Sequence, residues 1–244
     1  MMNEKVVKEE LDDIGIIEIS NPDQNVIDIE VLMGIASAVS GFISEDSIRG
    51  ILIKTRGKDF SVGYDGSCKR LRDNSWLLTV FDTSSAIYNM IRSSGKPFFV
   101  SVKGRCLGLG MELALANDFM QVNQNVRMGF PDYEFGIPSL MIPPAIMEER
   151  LGNRIAYRNI LTSRILTGEE AFKLGIADII DPDTNDPVKW VKNVMAGLNF
   201  QIFSIAKLQR FPDPAIMREY RSFIKSYDTS TVRIKELESK RSLI

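Results

Sequence analysis

A chain of 244 residues, 44% hydrophobic and 25% charged, has the composition of a folded globular protein and not of a disordered, collagenous or coiled-coil one. Its 30 Lys+Arg against 32 Asp+Glu leave a net charge of −2 with no block of like charge, which sets nucleic acid aside as a main partner. The sequence holds no histidine, so imidazole bases, Ser-His-Asp and Cys-His nucleophiles and histidine metal sites are excluded. Proton chemistry near neutral pH falls to carboxylates, Tyr, Lys or Cys.

Cys68 and Cys106 are too few for a thiolate metal site and are read as reduced thiols, so no metal is expected. Apolar runs such as Phe98-Phe99-Val100 fall far below the ~18 residues of a membrane span. The start, residues 1–11, is charged rather than signal-like, and the expectation is a cytoplasmic protein without a membrane partner.

In chain order, residues 6–8 and 14–19 read as a hairpin around Asp12-Asp13, broken by Asn21-Pro22-Asp23. Apolar residues at helical spacing (Ile27, Val31, Ile35, Val39, Phe42) predict a helix over 27–43, and residues 50–54 return to a buried strand, which suggests an α/β fold. A loop over 56–66 precedes a helix over 76–91, stopped by Ser93-Ser94-Gly95-Lys96-Pro97. A buried strand over 98–102 then runs through Gly104 to Gly110 into an apolar helix over 111–116. Two strand-like pieces flank Asn123-Gln124-Asn125, and from Ser139 the pattern is mostly helical. The reading is an α/β core over residues 1–195 and a helical segment over 196–244, with Phe211-Pro212-Asp213-Pro214 separating two of the last helices. The apolar positions Phe200, Ile202, Phe203, Ile205 and Leu208 need a second surface, either the core or another subunit.

Two junctions share one physical character. At Phe60-Ser61-Val62-Gly63-Tyr64-Asp65 a strand gives way to a glycine-containing loop whose amides have no obvious ladder partner. At Gly104-Arg105-Cys106-Leu107-Gly108-Leu109-Gly110-Met111-Glu112 a strand runs into glycines and then a helix, where first-turn amides are free and the helix dipole is positive. Two sets of amides facing one spot hold an oxyanion. Glycine spacing by itself also fits two ordinary tight turns.

The order of these pieces resembles the crotonase (enoyl-CoA hydratase/isomerase) superfamily. The matching stretches are Asn21-Pro22, Phe60 to Asp65, Lys96-Pro97 leading to Gly104 through Glu112-Leu113-Ala114, Phe130-Pro131-Asp132 with Gly136-Ile137-Pro138, and Leu161-Thr162-Ser163-Arg164-Ile165. Glu169-Glu170-Ala171 through Gly175-Ile176-Ala177-Asp178 continues the match, with Ile205-Ala206-Lys207 in the C-terminal helices. Each motif is weak alone, but their colinear order covers nearly the whole chain.

The resemblance implies a core of repeated ββα units wound as a spiral, a C-terminal helical oligomerisation segment, and an acyl-CoA thioester as substrate. Coenzyme A is then part of the substrate, and no separate cofactor is expected. The backbone N–H groups of Tyr64 and Leu109 map to the family's oxyanion donors, where Leu109 departs from the usual glycine and narrows the acyl pocket. Glu112 maps to the first catalytic glutamate of the hydratases. Asp132, twenty residues on, maps to the second, with an arm one methylene shorter. Read without the resemblance, Glu112 is a solvated helix residue beside apolar Met111 and Leu113, and Asp132 a turn or capping residue. Glu134 is a substitute acid if the loop is shifted.

Tyr64, Asp65, Gly66 and Ser67 are expected along the pantetheine and Val26 beside the adenine, while Lys69, Arg70, Arg72 and Lys207 are candidates for the CoA phosphates. The leading expectation is reversible hydration of a trans-2-enoyl-CoA by a homotrimer or dimer of trimers. Δ3-Δ2 double-bond migration, another enolate-forming step, or acyl-CoA binding without catalysis are the alternatives.

Overall fold

The computed structural model describes residues 5–22, 24–64, 72–151, 154–181, 186–209, 214–228, 230 and 233–243. Strands β1 (Val6–Leu11) and β2 (Ile14–Ile19) lead to helix α1 (Ile29–Ser44), β3 (Gly50–Thr55), α2 (Asn74–Ser93), β4 (Phe98–Val102), β5 (Arg105–Leu107) and α3 (Leu109–Ala116). β6 (Phe119–Val122) and β7 (Arg127–Gly129) precede a 3-10 turn (Pro131–Phe135). Then come α4 (Pro144–Leu151), α5 (Arg154–Leu161), β8 (Leu166–Thr167), α6 (Gly168–Lys173), β9 (Ile179–Ile180), α7 (Pro187–Gly197), α8 (Phe200–Leu208), α9 (Pro214–Ser226) and α10 (Ile234–Leu243).

One sheet runs β1-β2-β3-β4-β6-β9, antiparallel at the β1–β2 hairpin and parallel elsewhere; a second runs β5-β7-β8. Parallel strands are covered on both faces, which is why β2, β3 and β4 read as apolar runs rather than as an alternation. One face sends Ile17, Ile19, Ile51 and Ile53 into the main core with α1, α2 and α3. The other sends Ile14, Ile16, Leu52 and Phe99 into a smaller core closed by Val191 and Met195 of α7.

Caps decide where the two long helices begin. Asp28 accepts from the Val31 amide at 2.9 Å, so α1 starts at Ile29, and Ile27 is left to bridge Tyr64. Asp73 accepts from the amides of Ser75 and Trp76, which starts α2 two residues before its first apolar position. β8 and β9 lie in the stretch whose pattern reads as helical. At two residues each they carry no period to detect.

The C-terminal helices find their second surface on the core of the same chain. The buried Lys207 ammonium of α8 donates to Asp118 Oδ2 at 2.6 Å and to the Lys96 carbonyl at 2.8 Å, while Asp118 Oδ1 takes Arg92 Nη1 at 2.7 Å. α9 sets Tyr220 edge-on against Phe81 of α2, ring centroids 5.5 Å apart, and buries Ile224. Ile202, Ile205 and Leu208 of α8 stay exposed. The Phe211-Pro212-Asp213 break lies outside the described residues.

Candidate active site

The loops after β3 and β4 are stitched together in parallel. The amides of Phe60 and Ser61 donate to the carbonyls of Lys103 and Arg105 at 2.8 and 2.9 Å, and the Leu107 amide donates to the Ser61 carbonyl at 2.9 Å. The result is a Ser61–Cys106 bridge, with Tyr64 and Leu109 each three residues beyond it. Gly63, at φ 94°, allows this approach: a Cβ there would sit 2.7 Å from the Leu107 carbonyl oxygen. On its other side the loop is pinned by the Ile27 amide, which donates to the Gly63 carbonyl at 2.9 Å. The Tyr64 hydroxyl accepts from Trp76 Nε1. Leu109 opens α3, so its N–H has no intrahelical acceptor, and its side chain lines the cavity below, which it narrows.

Glu112 sits one turn into α3, a helix whose eight residues are all buried. Its Oε1 accepts from the Leu140 amide at 3.0 Å, and its Oε2 from the amides of Met141 and Ile142 at 2.8 and 2.7 Å. A carboxylate has about four acceptor positions. Three are filled by main chain here, so Oε1 keeps one for other chemistry. Burial favours the neutral acid, the three N–H donors favour the anion, and burial prevails: the carboxyl is pushed up to about 7 from 4.5. That range suits proton transfer near neutral pH.

Asp132 stands on the 3-10 turn, 6% exposed, and faces the same cavity. Its Oδ2 lies against Gly108, where a Cβ would overlap it; Gly108 holds φ 52° as the residue before α3. Its Oδ1 is ion-paired with Arg241 Nη2 from α10, and Arg241 Nη1 donates to the Tyr64 carbonyl at 2.7 Å. The structure therefore brings Tyr64, Leu109, Glu112 and Asp132 to one cavity, walled by Phe130, Tyr133, Ile137, Pro138 and Leu140 and by Arg241, with about 10 Å3 in which the centre of a water molecule can sit.

The remaining expected positions fare differently. Glu134 points outward to pair with Lys240 and does not line the cavity, so it is no substitute for Asp132. Lys207 is buried in its pairing with Asp118, which removes it from any phosphate contact. Arg72 is exposed. Val26 is half-buried, its carbonyl held by Asn21 Nδ2 at 2.7 Å, beside a 400 Å3 cleft lined by Asn21, Gln24, Arg56 and Lys58 among others. Asp65, Gly66, Ser67, Lys69 and Arg70 lie outside the described residues, as does Cys68. Burial pushes the Cys106 thiol well up, so it stays protonated and inert. Among the described residues no group of three acidic or cysteine side chains is placed to hold a metal ion, and no helix is long and apolar enough to cross a membrane.

Two features of the site escaped the sequence. The amides of 140–142 are main-chain groups, which no side-chain pattern marks. Arg241 arrives from 109 residues away, next to Lys240 on a helix with no apolar stripe, and nothing in the local sequence set it apart from its basic neighbours.

This two-sheet α/β arrangement, with a carboxylate-lined cavity at the start of α3, is the crotonase fold. An enoyl-CoA hydratase/isomerase from Mycobacterium paratuberculosis superposes on it with a TM-score of 0.81 at 17% identity, covering 100% of this chain and 99% of that one. The family model described as Enoyl-CoA hydratase/isomerase matches residues 9–209, and the chain belongs to that family. A probable enoyl-CoA hydratase of Bacillus subtilis is 25% identical over 187 residues, which is 75% of this chain and 71% of that protein. The peroxisomal fatty acid beta-oxidation multifunctional protein MFP2 of Arabidopsis thaliana is 22% identical over 88% of this chain, which spans only 30% of its length.

Proposed function

We propose that the protein hydrates trans-2-enoyl-CoA thioesters. The observation that carries this reading is the convergence of Glu112 and Asp132 on the cavity bordered by Tyr64 and Leu109. With the thioester oxygen between the Tyr64 and Leu109 amides, negative charge developing there meets two fixed donors, each worth ~3–4 kcal/mol in comparable sites. Glu112 takes a proton from water through the open position on Oε1 as the water oxygen bonds to C3. Asp132 accepts a hydrogen bond from the second O–H of that water, which keeps its hydrogen, and so orients it. The enolate then collapses, and Glu112 returns its proton to C2, which leaves the carboxyl as it began.

One observation favours a second reading on the same fold. Arg241 ties up one Asp132 oxygen, which leaves Glu112 the better placed base, and a single base suffices to move a double bond from C3 to C2. Parallel incubation with crotonyl-CoA and a 3-enoyl-CoA separates the two. Loss of the enoyl-thioester ultraviolet absorbance from crotonyl-CoA supports hydration; its gain from the 3-enoyl-CoA alone supports isomerisation. Absence of solvent deuterium exchange at C2 of any acyl-CoA would reject both and leave a binding protein. The exposed Ile202, Ile205 and Leu208 of α8 support assembly into the trimers expected of the family, which sedimentation tests directly.

A further inference from the structure

Arg241 is the one buried side chain among those described on α10, and it is buried inside the cavity that holds both carboxylates. Pockets that take small ligands run to roughly 300–1,000 Å3. About 10 Å3 remains beside Glu112 and Asp132, close to the room one water needs. No acyl group fits there while the guanidinium stays in place.

The attachment of α10 is of a kind that lets go. Lys240 pairs with Glu134, Arg233 donates from its side chain to the Glu134 carbonyl, and the Arg233 amide donates to the Phe135 carbonyl at 3.0 Å. The Lys240 and Arg233 cations lie 5.6 and 5.3 Å from the Phe135 ring centre. The side-chain contacts among these are exposed charge contacts on the 3-10 turn that carries Asp132, individually weak and screened by salt, while the Arg233 amide bond and one from Arg105 Nη1 to the Arg241 carbonyl at 3.3 Å add two main-chain ties. Leu243 is 84% exposed and adds no burial. The buried pair is itself incomplete, since Arg241 Nε and Asp132 Oδ2 have no hydrogen-bond partner among the described residues.

We propose that α10 is a strap that holds the acyl pocket shut, with Arg241 as its bolt, so that strap closure and acyl-thioester binding exclude one another. The identity of the excluded ligand rests on the function proposed above; the existence of the strap does not. The population of the open state then sets the apparent affinity.

The test uses the full chain and butyryl-CoA, a saturated thioester that is not turned over. Arg241→Ala should bind it on the order of tenfold or more tightly than the parent, and Lys240→Ala should shift affinity the same way by less. Amide hydrogen exchange over 233–243 should rise when butyryl-CoA is added, and should rise in the parent between low and high salt while exchange over 214–226 does not. Unchanged or weaker binding by Arg241→Ala, or greater protection of 233–243 in the complex, would overturn the strap. Should Arg241→Ala fail to fold, Lys240→Ala carries the same comparison. If no variant binds butyryl-CoA, the acyl-thioester reading fails, and the strap stands or falls on the salt response of 233–243 alone.

Discussion

The Leu140 amide and the Glu112 carboxylate are joined by a 3.0 Å hydrogen bond, the first of three that the backbone of 140–142 delivers to that side chain. The wall of the pocket and the aim of this carboxylate are thus one structural unit. Replacing Glu112 by Gln preserves the volume but presents an NH2 group to those amide donors and removes the proposed base. We predict a fall in kcat of roughly 10²–10⁴ with a smaller change in KM, read from crotonyl-CoA hydration. Unchanged turnover would take Glu112 out of the mechanism.

The same carboxyl makes folding stability depend on pH in an unusual direction. Burial raises its folded value to about 7 from 4.5, so between those limits the folded chain binds more protons than the unfolded one. The contribution is harmless below about pH 4.5 and becomes a cost of about 3 kcal/mol as pH climbs through 7. Urea denaturation at about pH 5 and about pH 8 should show the parent losing more stability than Glu112→Gln over that interval. Parallel losses would mean that the group titrates normally.

Gly108 and Gly175 both hold left-handed backbone, at φ 52° and 73°, but only the first is crowded: a Cβ on Gly108 overlaps Asp132 Oδ2, and one on Gly175 meets nothing within 4 Å. Gly175→Ala should therefore cost only the backbone strain of roughly 1–3 kcal/mol and leave turnover intact. Gly108→Ala should cost more and displace Asp132 as well, lowering activity beyond what its melting temperature accounts for. Equal losses for the two would disprove the contact.

Asp118 serves two buried cations, Arg92 and Lys207, whose side chains are 4% and 2% exposed. Removing the anion leaves both uncompensated, and Asp118→Ala should destabilise by about 3–5 kcal/mol in chemical denaturation. A loss under 1 kcal/mol would show that water reaches the cluster.

The fold was legible where burial imposes a pattern. Ile14 to Ile19 and Phe98 to Val102 are apolar throughout because both faces of the sheet are covered, and Gly104 to Gly110 announced the strand-to-helix turn at α3. Glu112 and Asp132 came from motif order, and the structure places them at one cavity. What stayed hidden has a physical reason in each case. Lys207 looks like any solvated lysine until Asp118 is brought to it from 89 positions away, and Arg241 plays its part through a contact that no local pattern encodes.

The Ser61–Cys106 bridge has a consequence for how such a site changes over time. Ladder register, not side-chain identity, sets where the nitrogens of residues 64 and 109 stand. Replacements there can widen, narrow or re-line the chamber while these two main-chain nitrogens keep their places, so under the proposed function acceptance of new substrates and retention of the reaction are governed by different atoms of the same two residues.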